Sequence, residues 1–198
     1  MFSLRALGQP LLYQAGTHYT VLPANALATA QEKAELPLVT EVFWYGCPAC
    51  HAFDPVLNTW VTAQGESITF SRVPAAWNVQ TKQHAQLFAA TVELGVHDAV
   101  HEDIFKTIHE QRRPLLDTKD QVAFLEQHGV DAEAAQKAFD SFQVDSGVRR
   151  AESLIRELRV ASIPALIVRG LYLVTGTAAT PTHQDQLKVV EHLLRLRG

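Results

Sequence analysis

Both cysteines of this 198-residue chain fall within Leu38-Val39-Thr40-Glu41-Val42-Phe43-Trp44-Tyr45-Gly46-Cys47-Pro48-Ala49-Cys50-His51. The apolar run that ends at Tyr45 predicts a buried strand, and residues 52–63 predict a helix. Two thiols separated by two residues at the start of a helix are typical of a redox pair. The partial positive charge and free N–H groups of a helix N-terminus stabilise a thiolate on Cys47. Cys50 lies within one turn, where it can close a disulfide.

Three other interpretations of the two cysteines stay open at this point. A structural disulfide would close so short a loop that it gains little entropy. A zinc site needs about four ligands, and the nine histidines do not replace a second cysteine pair. Cys-x-x-Cys-His is also the attachment motif of c-type haem, with His51 as the proximal ligand. The only methionine that could serve as a distal ligand is Met1, although other histidines remain.

The composition is that of an ordinary globular protein, with 47% hydrophobic and 19% charged residues and a net charge of −4. This charge gives no electrostatic basis for binding nucleic acid. No apolar run approaches the roughly 20 residues of a membrane span. The segment Met1–Leu7 is too short for a signal peptide, so we expect either a cytosolic protein or a mature form whose signal has been removed.

Periodicity divides the rest of the chain into strands and helices. An extended segment is expected near Tyr19, strands over 67–73, 165–168 and 171–174, and the last two strands form a hairpin around Gly170. Between 81 and 158 the spacing is helical, and 187–194 forms a last amphipathic helix. Three apolar stripes mark the helical block: Val100, Ile104 and Ile108; Ala132, Ala135, Phe139 and Phe142; Val148, Ala151, Ile155 and Leu158. Asp117 or Thr118 and Asp131 are the expected helix caps. This order predicts an α/β sheet core interrupted by an all-helical insertion.

The segments 41–50 and Ser162-Ile163-Pro164-Ala165 resemble the thioredoxin superfamily. With the helical block between them, they resemble its DsbA-like branch, the bacterial periplasmic thiol oxidases. The resemblance runs from about Tyr19 to the C-terminus. It implies a thioredoxin fold with a helical insertion: a thioredoxin-like domain of residues 1–80 and 147–198, and an insertion domain of residues 81–146.

The resemblance also implies roles for individual residues. Cys47 matches the exposed nucleophile and Cys50 the buried resolving cysteine. Pro164 matches a proline that follows a cis peptide bond and packs on the disulfide, and the backbone of Ile163 matches the one that pairs with a substrate strand. Glu41 matches a buried acid that relays the proton of Cys50. A strand-start proline and a surface glutamate are the plainer interpretations of Pro164 and Glu41.

Pro48, Ala49 and His51 are expected to tune the redox pair. Pro48 in the first helical turn loses no needed donor. The family's oxidants often carry His where this chain has Ala49, so one positive neighbour of the thiolate is missing. They also often pair the buried acid with a lysine on the next strand. This chain has no lysine between Gly65 and Thr81, and Arg72 is the candidate replacement.

The function implied by the resemblance is that of a dithiol oxidase for unfolded or reduced exported proteins. It implies a monomeric periplasmic protein whose signal peptide has been removed. The implied partner is a membrane, quinone-linked, DsbB-like protein that re-oxidises the cysteines, and no metal or organic cofactor is implied. The alternative is an isomerase or reductase of the same superfamily, although the stretch before residue 38 is too short for the dimerisation domain of family isomerases. The second alternative is the c-type haem protein.

Overall fold

The computed structural model describes residues 12–23 and 37–196, so the segment Met1–Leu7 lies outside the described residues. Within those ranges one five-stranded mixed sheet has the order β1-β5-β4-β2-β3. Strand β2 lies between β3, which it pairs in parallel, and β4, which it pairs antiparallel. The strands are β1 Thr20–Val21, β2 Val39–Phe43, β3 Phe70–Pro74, β4 Ala165–Val168 and β5 Tyr172–Thr175.

Helices cover both faces of this sheet. Helices α1 and α7 pack against one face around the buried side chains of Phe53, Leu57 and Leu193. The block α2–α6 connects β3 to β4, and α2 and α6 both contact β3. The helices are α1 Pro48–Gln64, α2 Val79–Glu93, α3 His97–His109, α4 Thr118–Gln127, α5 Ala132–Phe139, α6 Phe142–Glu157 and α7 His183–Arg195. No helix in the described ranges is long and apolar enough to cross a membrane.

Strand β2 is buried over its whole length, as its apolar run predicts. Val39 packs in the cluster beneath α1 and α7, whereas Phe43 packs against α3. Burial on both faces is typical of a central strand. After the carboxyl end of β2, the chain therefore reaches Cys47 beside the helical block α2–α6.

Two details of the sequence prediction have different outcomes. The expected caps Asp117 and Asp131 are confirmed, since their carboxylates accept the N–H groups of Asp120 and Ala134 at 2.9 Å. The stripe that ends at Phe142 is wrong, because α5 ends at Phe139, Ser141 caps a new helix, and Phe142 is 72% exposed.

Segment boundaries also differ from the prediction. Helix α1 begins at Pro48 and ends at Gln64, so it is longer than residues 52–63. Residues Gly65–Ser67 form a short 3₁₀ helix, and β3 begins only at Phe70. The hairpin around Gly170 is confirmed. A domain boundary at residue 147 falls inside α6, and the division into 1–80 with 147–198 and 81–146 stays a prediction.

Candidate active site

Cys47 is the N-cap of α1 at the carboxyl end of β2. Its sulfur accepts the backbone N–H of Cys50 at 3.4 Å, and Pro48 occupies the first helical turn, where no donor is lost. Both cysteines are free thiols in this structure. Cys47 is half-buried, whereas Cys50 is 0% exposed. One sulfur is therefore open to an incoming group and the other is not.

The two thiols have opposite pKa shifts. The hydrogen bond from the Cys50 thiol lowers the pKa of Cys47 from 9.0 to about 6, against the effect of burial. The backbone N–H groups of Cys50 and Ala49 and the charge of His109 lower it further. The same bond to Cys47 raises the pKa of Cys50, and burial and the Cys47 charge add to the increase. Near neutral pH, Cys47 is then a thiolate that accepts a hydrogen bond from the Cys50 thiol. This asymmetry is what the assignment of nucleophile and resolving cysteine requires.

Pro164 lies at the same edge of the sheet as the cysteines. It directly precedes β4, whose first residue, Ala165, pairs with Val42 near the end of β2. The Ile163–Pro164 peptide bond is cis. Pro164 is buried, whereas Ile163 is half-buried and packs on the apolar cluster that contains Cys50. The structure thus brings the late Ile-Pro signal and the redox pair to one end of the molecule.

Glu41 is buried, 2% exposed, and is not the surface residue of the plainer interpretation. The parallel register places Arg72 of β3 directly opposite it, and the Arg72 Nε donates to Glu41 Oε2 at 3.0 Å. The Arg72 Nη2 also donates to Asp54 at 3.2 Å and to Asn58. Arg72 therefore occupies the place expected for the missing lysine.

Burial raises the pKa of Glu41 from 4.5 to about 7, and the charge of Asp54 adds to this increase. The charge and hydrogen bond of Arg72 oppose it. Burial acts in the same direction on Asp54, but the hydrogen bond and charge of His101, together with Arg72, outweigh it and lower the pKa of Asp54. Two neighbouring carboxyl groups beneath the redox pair are thus tuned in opposite directions, with Glu41 able to exchange a proton near neutral pH.

The sequence analysis missed the partners that complete this buried network. The His101 Nε2 lies 3.1 Å from Asp54 Oδ1, and its Nδ1 lies 2.9 Å from the Tyr45 hydroxyl. Burial lowers the pKa of His101, against the effect of the hydrogen bond with Asp54. One signal was available in the sequence: Asp54 lies one turn after Cys50, beside the apolar Phe53, and a carboxylate on a buried helix face needs a partner. The identity of that partner was hidden by its distance along the chain.

The remaining residues predicted to tune the pair lie on the first turns of α1. Pro48 and Ala49 are exposed, and His51 is half-buried. His51 stacks on the ring of His109 at the end of α3, a contact that the sequence analysis did not foresee.

Comparison with known proteins agrees with this geometry. Residues 59–188 match the model of the family described as DSBA-like thioredoxin domain. The thiol:disulfide interchange protein DsbA of Azotobacter vinelandii is 34% identical, over 97% of this chain and 91% of that protein. The chain belongs to the DsbA-like thioredoxin family. It is therefore a thiol:disulfide oxidoreductase, and the predicted family and activity are confirmed.

Solved structures of DsbA proteins share the fold. Pseudomonas aeruginosa DsbA superimposes with a TM-score of 0.82 and 28% identity, covering 92% of this chain and 93% of that one. A Proteus DsbA, solved as a cysteine-to-serine variant with the non-covalently bound peptide PWATCDS, superimposes with a TM-score of 0.74 and 25% identity over 92% and 98%. The predicted thioredoxin fold with a helical insertion is thus confirmed.

Proposed function

We propose that this protein is a dithiol oxidase that introduces disulfides into unfolded or reduced exported proteins. A substrate thiolate attacks the Cys47 sulfur of the Cys47–Cys50 disulfide, and the Cys50 sulfur leaves with the bonding electrons. A second substrate thiolate then attacks the substrate sulfur of the mixed disulfide, and Cys47 leaves as a thiolate. The substrate loses two electrons, and the protein ends as the Cys47 thiolate with the Cys50 thiol.

The lowered pKa of Cys47 is the observation that supports oxidation of the substrate rather than reduction of its disulfides. A stabilised thiolate is a good leaving group in the second step, and the same stabilisation favours the reduced protein over its disulfide. Because one pKa unit corresponds to about 1.4 kcal/mol and so to about 30 mV in a two-electron couple, even a screened part of this shift amounts to tens of millivolts. The protein is accordingly proposed to give up its disulfide rather than to reduce those of its substrates.

Glu41 is proposed to supply the proton that the first step needs. The Cys50 sulfur leaves into a buried site where its pKa is raised, so it takes up a proton at once. The charge of Glu41 is one of the contributions to that increase, and the Glu41 carboxyl itself has a pKa of about 7. A group half-protonated near the working pH is well suited to proton transfer.

Ile163 and Pro164 are proposed to hold the substrate beside Cys47. The half-buried Ile163 precedes β4 at the cysteine edge of the sheet, where its backbone can pair with an extended peptide. We further propose that the protein acts as a monomer in the periplasm and is re-oxidised there by a membrane, quinone-linked, DsbB-like partner. No metal or organic cofactor takes part in these steps.

The redox equilibrium with glutathione tests the direction. A strong oxidant stays largely reduced in buffers that oxidise an ordinary dithiol, and the disulfide form converts a reduced two-cysteine peptide to its disulfide stoichiometrically. The Cys50→Ser variant has no disulfide of its own; its Cys47 thiolate is expected to attack oxidised glutathione and to accumulate as the mixed disulfide, with one reduced glutathione leaving. A reduction potential of about −270 mV, typical of a thioredoxin-type reductase, would overturn the oxidase assignment and favour the reductase.

A further inference from the structure

His109 secures the loop that leads into the redox pair. It is the last residue of α3, and its Nε2 lies 2.8 Å from the carbonyl oxygen of Tyr45, two residues before Cys47. The His51 ring stacks on it with centroids 4.7 Å apart and planes only 7° from parallel. On α3 itself, the Phe105 ring is stacked 5.7 Å from the His51 centroid. The imidazole of His109 is therefore fixed between the loop before Cys47 and the first turns of α1.

The hydrogen bond to Tyr45 is compatible with both charge states of His109. A carbonyl accepts, so the Nε2 carries the hydrogen, and protonation then occurs at Nδ1. The ring can gain a positive charge without losing the contact that holds it. The charge of His109 is among the causes that lower the pKa of Cys47. The imidazole is therefore held against the loop that leads to Cys47, and its charge acts on the Cys47 sulfur.

In the part of the chain that the structure describes, the titratable groups around His109 come from α1, α2 and the end of α3. Cys47 and His51 lie on the α1 side, Glu110 follows it at the end of α3, and His84 lies on α2, where the charge of His109 helps to lower the pKa of His84. The Glu110 carboxylate lies 3.8 Å from His51 Nε2.

We propose that His109 supplies the positive charge that a histidine between the cysteines would provide, and that it shifts the redox equilibrium of the Cys47–Cys50 pair toward the reduced protein. This rests on the proposed oxidase function, whose redox pair it tunes. His109 is a positioning residue, because it acts through the Cys47 thiolate and does not touch the substrate. A positive charge near the Cys47 thiolate stabilises the reduced protein, so it makes the disulfide form the stronger oxidant.

The test compares three variants of the full chain. His109→Gln removes the charge, although its amide can still donate to the Tyr45 carbonyl. His109→Lys keeps a cation that does not titrate in this range. His128→Gln is the matched control, because His128 lies at the end of α4 and faces Asp103 at 3.4 Å. For each protein, the ultraviolet absorbance of the thiolate gives the Cys47 pKa, and the glutathione equilibrium is measured at pH 6 and pH 8.

His109→Gln is expected to raise the Cys47 pKa by about half to one unit and, at a pH well above that pKa, to shift the glutathione equilibrium by the same factor, about threefold to tenfold, toward the disulfide. At pH 6 the shift should be less than about twofold, because Cys47, with a pKa of about 6, is then only half ionised. His109→Lys should keep the low Cys47 pKa, and His128→Gln should match the wild type.

Two outcomes would overturn the inference. One is a His109→Gln protein with the wild-type melting temperature and an unchanged Cys47 pKa. The other is a His109→Lys protein whose Cys47 pKa rises as much as in His109→Gln, since the contact would then matter and the charge would not. If His109→Gln does not fold, His109→Lys decides alone by the pKa it keeps or loses. The wild-type glutathione potential tests the oxidase function separately, because these comparisons are all relative to the wild type.

Discussion

Replacing Glu41 by glutamine is expected to stabilise the protein, and to do so mainly at alkaline pH. The carboxyl group is 2% exposed, and its pKa is raised from 4.5 to about 7, with burial as the first cause. Between these two values the folded chain binds more protons than the unfolded chain, so stability falls as pH rises. The cost is absent below pH 4.5 and complete above pH 7. A shift of this size corresponds to about 3 kcal/mol of unfolding free energy.

Glu41→Gln removes this cost while it preserves the shape of the side chain. The amide oxygen can still accept from Arg72, which also keeps its bonds to Asp54 and Asn58. The loss of one ionic partner of Arg72 offsets part of the gain, so we expect the variant to be about 1–3 kcal/mol more stable than wild type at pH 8. At pH 5 the gain should be smaller by about 2 kcal/mol, because the wild-type carboxyl is then mostly protonated in the folded state.

Urea denaturation of the oxidised proteins at pH 8 and pH 5 measures both values. The disulfide removes the titration of Cys47 and Cys50 from the comparison. Asp54→Asn is the matched control with the opposite sign: the pKa of Asp54 is lowered, so its ionised form stabilises the fold above the unfolded pKa of 3.8. That variant should lose stability at both pH values.

An equal change for Glu41→Gln at pH 5 and pH 8 would refute this reasoning. So would a variant that is destabilised more at pH 8 than at pH 5. Either result would mean that Arg72 outweighs burial and holds Glu41 ionised throughout. The proposed transfer of a proton between Glu41 and Cys50 would then lose its basis.

Three further predictions concern the redox turn. In the reduced protein, iodoacetamide should modify Cys47 rapidly with a midpoint near pH 6 and Cys50 slowly; equal rates for the two thiols would contradict the assignment of roles. Ala49→His should lower the Cys47 pKa and raise the reduction potential. If the pKa and the potential both stay unchanged, the two residues between the cysteines do not tune the redox pair. Gly46→Ala should lower the melting temperature and slow peptide oxidation, because the added Cβ would lie 2.3 Å from the Trp44 ring; an unchanged melting temperature would show that the indole moves aside at little cost.

The parts of the site that the sequence predicted are local in the chain. The strand before the cysteines and the helix that starts at them are coded within a few residues by apolar runs, Pro48 and the thiols themselves. Only the family resemblance connects Pro164 to the cysteines. The pairing of Glu41 with Arg72 needed the parallel register of β2 and β3, which no local pattern specifies.

The parts that the sequence did not predict depend on how α3 packs. His101 is 47 residues from Asp54 and 56 from Tyr45, and His109 is 64 residues from Tyr45. Helical periodicity places these histidines on a helix, but it does not say which helix that face will meet. The failure at Phe142 has the same origin: the apolar spacing continues across Ser141 although a new helix axis begins there. Periodicity reports the spacing of apolar residues, but it does not show where the helix axis changes direction.

The hydrogen bond between the two thiols is the first cause of their opposite pKa shifts, and the environments that one helical turn separates add to it. Cys47 meets backbone N–H donors and the charge of His109 on the outer side, whereas Cys50 is buried and lies in the field of the Glu41 carboxyl group. Changes on the outer side therefore act on the leaving-group quality of Cys47, and so on the redox equilibrium. Changes at Glu41 act on the protonation of Cys50 and on folding stability. Separate control of the two thiols means that a substitution at an outer residue such as Ala49 can change the pKa of Cys47 while burial and the charge of Glu41 keep Cys50 protonated.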